Sequence, residues 1–292
     1  MRAGDYARLL ALAAIWGAHY GFVRVAAPAF GPLWTAEGRL LIGAVALLAW
    51  FGLRQLDLSR AHLPFHAWMG FLNTALPFVL LAYAATVLPA SILAVVNGTA
   101  PIMVLMLGAA FGLERLTAGR IIGMLLGFAG VWLLSDPQAI ETSAAQGDVP
   151  LAFAASLGTN FLYALSAVLA KRYGEGIAPT GMALGMQIWG VLYLAPFAAF
   201  AQIPDPAPGA VAWANLLALG VIASGVAFVL YFRLLQDVGA ARTQSVSFAV
   251  PLFGMLWGML FLGERMGAQA LAGSLLIVAG VVLVTVTWKP SG

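Results

Sequence analysis

Trp16, His19, Tyr20 and Val23 fall at i, i+3, i+4 and i+7 of a long apolar run, so a helix there sets an imidazole and two aromatic rings on one face. Ser156, Thr159, Asn160, Tyr163 and Ser166 repeat the pattern with hydroxyl and amide groups. Such stripes have two uses inside a membrane: lining a wet cavity that holds a small molecule, or bonding one helix to the next. A stripe of five favours the cavity over simple helix bonding. Either way the chemistry is binding rather than bond making. The sequence has no GxxxxGK[ST] phosphate loop, no HExxH zinc helix and no GxSxG elbow, and its serines lack obvious His and Asp partners. No catalytic residue, cofactor or metal is expected.

Further polar residues interrupt other apolar runs: Asn73, Asn97, Gln187, Ser224, Tyr231, Gln244 and Ser247, with Trp257 as another stacking candidate. Together with Trp16, His19, Tyr20, Asn160, Tyr163 and Ser166 they form the expected substrate-contacting set. His19 is the single histidine within a predicted span, and it reads either as a substrate contact or protonation switch, or as a neutral ring bonded to a neighbouring helix. Pro77, Pro101 and Pro251 fall in mid-span, where a missing N–H frees a carbonyl and kinks the helix, and they are the expected hinges. Glu37 and Arg39 admit two readings, a clamp for a substrate carboxylate and ammonium or a salt bridge near the outer face, of which the salt bridge is the default.

The elements carrying these residues are set by composition. Of 292 residues 62% are hydrophobic and 9% charged, mean hydropathy is +0.96, and the stretches 67–113 and 243–263 carry no charge at all. A water-soluble domain could not cover such a chain, and the ~10-residue alternation of a β-barrel is missing. Punctuation by polar residues, Pro and Gly predicts ten membrane-spanning helices, at about 8–27, 34–53, 67–87, 90–112, 118–135, 149–170, 180–200, 211–235, 243–262 and 268–288. Net charge is +3, but the basic residues are too scattered for a nucleic-acid groove. Cysteine is absent. Ala27-Pro28-Ala29 faintly resembles a signal-peptidase site, yet cleavage there would strip one span from its repeat.

The chain is also duplicated. Residues 100–115 read APIMVLMLGAAFGLER and 250–265 read VPLFGMLWGMLFLGER, so Pro101 and Pro251, Gly108 and Gly258, and Glu114 and Glu264 are all separated by 150. Trp16 with Tyr163 and Arg24 with Lys171 correspond at a separation of 147. The expected organisation is a five-helix repeat over 1–135, a periplasmic linker over 136–148 and a second repeat over 149–292. Basic residues place both termini in the cytoplasm: Arg2, Arg8, Arg54, Arg60, Arg115, Arg120, Lys171, Arg172, Arg233, Arg242 and Lys289 fall on one side, with Asp136, Glu141, Asp148, Asp205 and Arg265 on the other. Five is odd, so the second repeat enters from the opposite face and the repeats are inverted.

Ile15-Trp16-Gly17, Arg39, the proline followed by Glu-Arg in spans 4 and 9, and the glycines of spans 5 (Gly123, Gly127, Gly130) and 10 (Gly273, Gly280) give the chain its resemblance. It resembles the EamA-type members of the drug/metabolite transporter superfamily across essentially its whole length. That resemblance implies an all-α polytopic carrier of the bacterial inner membrane, exporting or equilibrating small metabolites by alternating access to a central cavity. Few fixed charges, several aromatics and amide or hydroxyl donors point to amino acids, aromatic or apolar ones above all. The small multidrug carriers of the same superfamily rely on a glutamate within their first helix, which this chain lacks; a proton-coupled drug, organic-cation or nucleobase exporter is therefore the second reading. A non-transporting scaffold or an intramembrane enzyme ranks last. Expected partners are a small-molecule substrate and the lipid bilayer, with no nucleic acid, and the nearly polar-free spans 5 and 10 are the expected face of a homodimer.

Overall fold

In a computed structural model of the protein, residues 3–52, 59–112, 116–134, 148–174, 176–202, 204–238, 243 and 246–286 are described. Among these the chain is helical, without strands. The helices are α1 (Ala3–Phe51), α2 (Leu63–Val87), α3 (Ala90–Ala110), α4 (Ala118–Leu134), α5 (Val149–Tyr173), α6 (Pro179–Phe200), α7 (three abutting stretches Ala210–Leu217, Ala218–Val226 and Ala227–Val238), α8 (Val246–Leu262) and α9 (Ala268–Val286). By length and composition, six helical runs among the described residues can cross a membrane, and three shorter apolar helices accompany them. The protein is a polytopic membrane protein. Helices are the expected answer, because hydrocarbon offers no partner for a bare N–H or C=O and a helix satisfies its own.

Two expected spans emerge as the single run α1. A straight helix of its 49 residues would extend about 70 Å, more than twice the hydrocarbon core of ~30 Å. The run is divided at Gly31, whose φ of 75° is open to glycine and costly for other residues, between Pro28 and Pro32. The Thr35 hydroxyl donates back to the Gly31 carbonyl at 2.7 Å, one turn earlier, tying the start of the second arm to the break. The two arms, residues 3–30 and 32–51, take different neighbours: Gly17 lies on α8, whereas Gly38 and Gly43 lie on α7 and α6. Other boundaries differ by a few residues, α2 starting at Leu63 and α8 at Val246.

Helices α2 and α7 each contain a π-helical stretch, Phe71–Ala75 and Ala218–Val226. The first ends just before Pro77, and the local widening absorbs a residue that can neither donate nor fit the standard turn. Helix α3 is interrupted by a turn at Gly98 and Thr99, so Pro101 opens its second stretch, Ala100–Ala110, rather than kinking a continuous helix. Pro251 lies inside α8, buried, with its ring against Gly98.

Close contacts across the molecule recur in exchanged pairs. A methyl group at Gly130 would fall 2.5 Å from the Gly273 carbonyl oxygen and 2.9 Å from the Ile277 nitrogen, and one at Gly280 would fall 2.5 Å from the Gly123 oxygen and 2.8 Å from the Gly127 nitrogen. A shift of 150 converts one set into the other with the partners swapped. Between α1 and α6, Gly43 faces Gln187 and Gly190 faces Leu40, again swapped under a shift of 147. Swapped contacts of this kind are what a two-fold axis produces. The glycines permit main chain to lie against main chain, which drives helix association where lipid removes the hydrophobic incentive.

Gly130→Ala and Gly280→Ala are therefore expected to destabilise the protein to a similar degree, by about 1–3 kcal/mol, since backbone cannot step aside as a side chain can. Gly4→Ala, in the first turn of α1 with open space around it, should not destabilise. Thermal unfolding of the purified variants in detergent measures this, and unchanged midpoints for the first two would contradict the packing described.

Candidate substrate-binding site

The 32–51 arm of α1 carries an arginine into the interior. Arg39 is 8% exposed; its guanidinium carbon lies 3.9 Å from the Phe78 ring centroid, and Nε donates to the Ser224 hydroxyl at 3.2 Å. The anticipated Glu37–Arg39 salt bridge is not formed, and no ion pair joins Arg39 to any acid among the described residues. The two residues are two positions apart on a helix, a spacing that turns side chains to different faces. Glu37 is buried, and its Oε2 has no hydrogen-bond partner among the described residues. Beside Ser224, Gln187 is 1% exposed with both amide atoms unpartnered among the described residues, and a methyl group at Gly43 would lie 2.6 Å from Gln187 Oε1 and 2.9 Å from Ser224 Cβ. Gly43 thus makes room for two predicted site residues to approach each other.

Other predicted residues are joined pairwise across helices. Asn97 donates through Nδ2 to the Tyr20 hydroxyl, linking α3 to the 3–30 arm. Asn160 of α5, fully buried, donates to the Val96 carbonyl at 2.8 Å and the Thr99 hydroxyl at 3.0 Å, where the turn in α3 exposes its backbone. The Ser166 hydroxyl lies 2.8 Å from both Asn73 Oδ1 and its own helix's Tyr163 carbonyl, and Asn73 Nδ2 reaches Met186 Sδ at 3.2 Å. Asn73 and Ser224 both sit in the π-helical stretches, where the ladder of backbone bonds shifts register. In the α5 stripe, Thr159 bonds the Ala155 and Pro77 carbonyls, Ser156 is buried with its hydroxyl unpaired among the described residues, and Asn160 and Ser166 serve as interhelical links. The aromatic Tyr163 remains partly exposed and packs with the Phe78 cluster under Arg39.

The 3–30 arm contributes rings. Trp16 lies 5.7 Å from Tyr231 and 6.5 Å from Phe228, centroid to centroid. His19 stacks near Tyr20 at 3.9 Å, and its Nδ1 lies 2.6 Å from the Trp16 carbonyl, so in this geometry Nδ1 carries the proton. Arg39 is within electrostatic reach of His19, Tyr20 and Tyr163. Trp257 is elsewhere: its indole N–H donates to the Ala14 carbonyl at 3.0 Å, and its ring lies between Phe253 and Phe261, the latter 75% exposed. Gln244 lies outside the described residues, as does the side chain of Ser247. Apolar grooves lie between the start of α2 and the end of α5, about 660 Å³ lined by Phe65, Trp68 and Tyr173 among others, and beside Trp68 and Tyr193; neither is lined by Arg39, Gln187 or Ser224.

A polar knot fixes one end of this assembly. Glu264 accepts from the backbone N–H groups of Ala90 and Ser91 at 2.6 and 2.8 Å, capping α3, and Gly258 leaves space for its carboxylate. Arg24 donates to the Ala85 and Thr86 carbonyls at the end of α2, within reach of the Glu264 charge. Its counterpart in the duplication, Glu114, with Arg115, lies outside the described residues. The roles of Arg24 and Phe78 were not anticipated; a lone arginine inside a span was the available signal for the first.

Glu264→Ala should lower the unfolding free energy by about 2 kcal/mol or more, because two buried N–H groups lose charged acceptors; an unchanged thermal midpoint would refute the cap. Asn160→Ala should likewise cost about 1–3 kcal/mol of stability, whereas Tyr163→Ala and His19→Ala should reduce transport at unchanged membrane abundance. Normal transport in both of these would remove them from the site.

Comparison with known proteins agrees with this architecture. A sequence model of the EamA-like transporter family matches residues 6–136 and again 151–286. An uncharacterized transporter of Archaeoglobus fulgidus is 24% identical over 92% of this chain and 94% of its own length. The uncharacterized transporter YvbV of Bacillus subtilis is 28% identical over 95% of this chain and 90% of its own. A probable terminal-alkyne amino-acid exporter of Streptantibioticus cattleyicolor is 26% identical over 92% and 89%. A solved crystal structure superposes with a TM-score of 0.66 over 98% of both chains at 18% identity, a likeness of fold alone. The chain, a bundle of apolar helices matched twice by one transporter family, belongs to the EamA-like transporter family of the drug/metabolite transporter superfamily.

Proposed function

We propose that this protein is a secondary carrier of the bacterial inner membrane that exports or equilibrates small metabolites, amino acids including aromatic and apolar ones foremost. Its ten passes form two inverted five-helix repeats, residues 1–135 and 149–292, joined by a periplasmic linker at 136–148, with both termini cytoplasmic. The observation that carries the reading is the set of swapped contacts between the halves, Gly130–Gly273 with Gly280–Gly123 and Gly43–Gln187 with Gly190–Leu40. Two equivalent halves can exchange conformations, and the exchange turns an inward-open site into an outward-open one. Gathering Arg39, Gln187 and Ser224 near that seam supports a single central site. Pro77, Pro101 and Pro251, each at or beside an irregular backbone or a close helix contact, are the hinges of the exchange. The nearly polar-free faces of α4 and α9 are the proposed surface for a second copy.

Amino acids fit a site with rings (Trp16, Tyr20, Tyr163), amides (Asn73, Asn97, Gln187) and one fixed cation, and the named activity of the Streptantibioticus relative adds weight. The rival reading, export of organic cations, must place a cation beside buried Arg39 with no acid paired to it among the described residues. Uptake of labelled amino acids into proteoliposomes, with and without a pH gradient, tests the proposal. Saturable uptake of one subset without a gradient is the expected result; uptake of none from a correctly inserted protein, alongside gradient-driven uptake of cationic dyes, would transfer the assignment to the rival.

A further inference from the structure

Arg39 is a charge without an answer. It is more than nine-tenths buried, its hydrogen bonding among the described residues is the single Nε donation to Ser224, and the face of Phe78 lies against its plane. A guanidinium has five N–H donors in a rigid fork, so four of them, on the two terminal nitrogens, remain to be used. The ionisable side chains within electrostatic reach, His19, Tyr20 and Tyr163, carry no negative charge near neutral pH. Burying such a charge unpaired is strongly unfavourable, and a protein with no use for it would be better served by an apolar residue at the same place.

The geometry points to Arg39 as the anchor for a substrate carboxylate: the protein selects molecules bearing a carboxylate group, and the bound substrate supplies the missing counter-ion. The inference rests on the carrier reading above and narrows its substrate class. Held by Nε on Ser224 and by Phe78 under its plane, the fork is aimed rather than loose, and it matches the two oxygens of a carboxylate in a way an ammonium head could not. Gln187, beside Ser224 with Nε2 and Oε1 both unpartnered, places a second donor and an acceptor next to the anchored group, and the acceptor suits a substrate ammonium. Ser224 is a positioning residue in this account.

Binding to the purified, full-length protein is followed by its tryptophan fluorescence with four probes of one skeleton: L-phenylalanine, 3-phenylpropionate, L-phenylalaninamide and phenethylamine. Wild type should bind the two carboxylates about tenfold or more tighter than the two compounds lacking one. Arg39→Gln should abolish that preference and Arg39→Lys, which keeps the charge but loses the fork, should retain part of it. The comparison on wild type alone suffices if a variant fails to fold. Equal binding of the amide or the amine, a preference that survives in Arg39→Gln, or no binding of any probe to folded wild type would overturn the anchor. The two readings fail separately: binding of 3-phenylpropionate without L-phenylalanine keeps the anchor and removes the amino-acid assignment, whereas L-phenylalanine transport indifferent to Arg39 does the reverse.

Discussion

Within hydrocarbon no polar group can borrow a partner from solvent, and every feature of this protein is an answer to that constraint. It makes the backbone helical, and it turns the stripes of α1 and α5 inward. It also explains how the exceptions are managed. Where a helix must stop, as α2 and α3 do around Leu88, the exposed ends meet Arg24 and Glu264. Where it breaks, at Gly31, a threonine hydroxyl one turn on bonds back to the glycine carbonyl. Where helices must touch, glycine brings main chain against main chain, because apolar side chains gain nothing by leaving lipid for one another.

Against that background the buried polar side chains divide into two groups. Thr159, Asn160, Ser166 and Trp257 have spent donors on carbonyls or side chains of neighbouring turns and helices. Among the described residues Gln187, Glu37 Oε2, Asn97 Oδ1, Asn160 Oδ1 and Ser156 Oγ have found no partner, and Arg39 hydrogen-bonds only through Nε. The first group fastens the bundle. The second group has bonding capacity to spare, and it is there that the proposed substrate would bond.

The sequence made the bundle readable because its signals are repetitive: apolar runs of span length, a linker, and a tail that returns after 150 residues. It could not show that spans 1 and 2 form one helical run broken at Gly31, since a glycine between two prolines reads equally as a loop. It proposed Asn160 and Trp257 as substrate contacts because an amide or an indole inside a span looks the same whether its partner is a ligand or a carbonyl of another helix. Only the fold gives Asn160 its Val96 carbonyl and Trp257 its Ala14 carbonyl. Likewise the i, i+2 spacing of Glu37 and Arg39 invites pairing in a string of letters, whereas on a helix it separates them. The swapped glycine contacts of α4 and α9 were not read from the sequence, where these spans figured only as a face for a second copy, although the 150-residue shift relates the two sets.

The central claim is one polar site reached alternately from the two sides. Cysteine is absent from the sequence, so a single thiol introduced at Tyr163 or Ser224 would be unique in the protein. Its labelling by a membrane-impermeant maleimide, applied separately to each face of oriented vesicles, is the direct measurement. The account predicts modification from both sides when measured over many turnovers, protection by transported substrate, and no leak of small ions through the labelled position. A thiol reached from neither side, or a continuous path open to both at once, would contradict it.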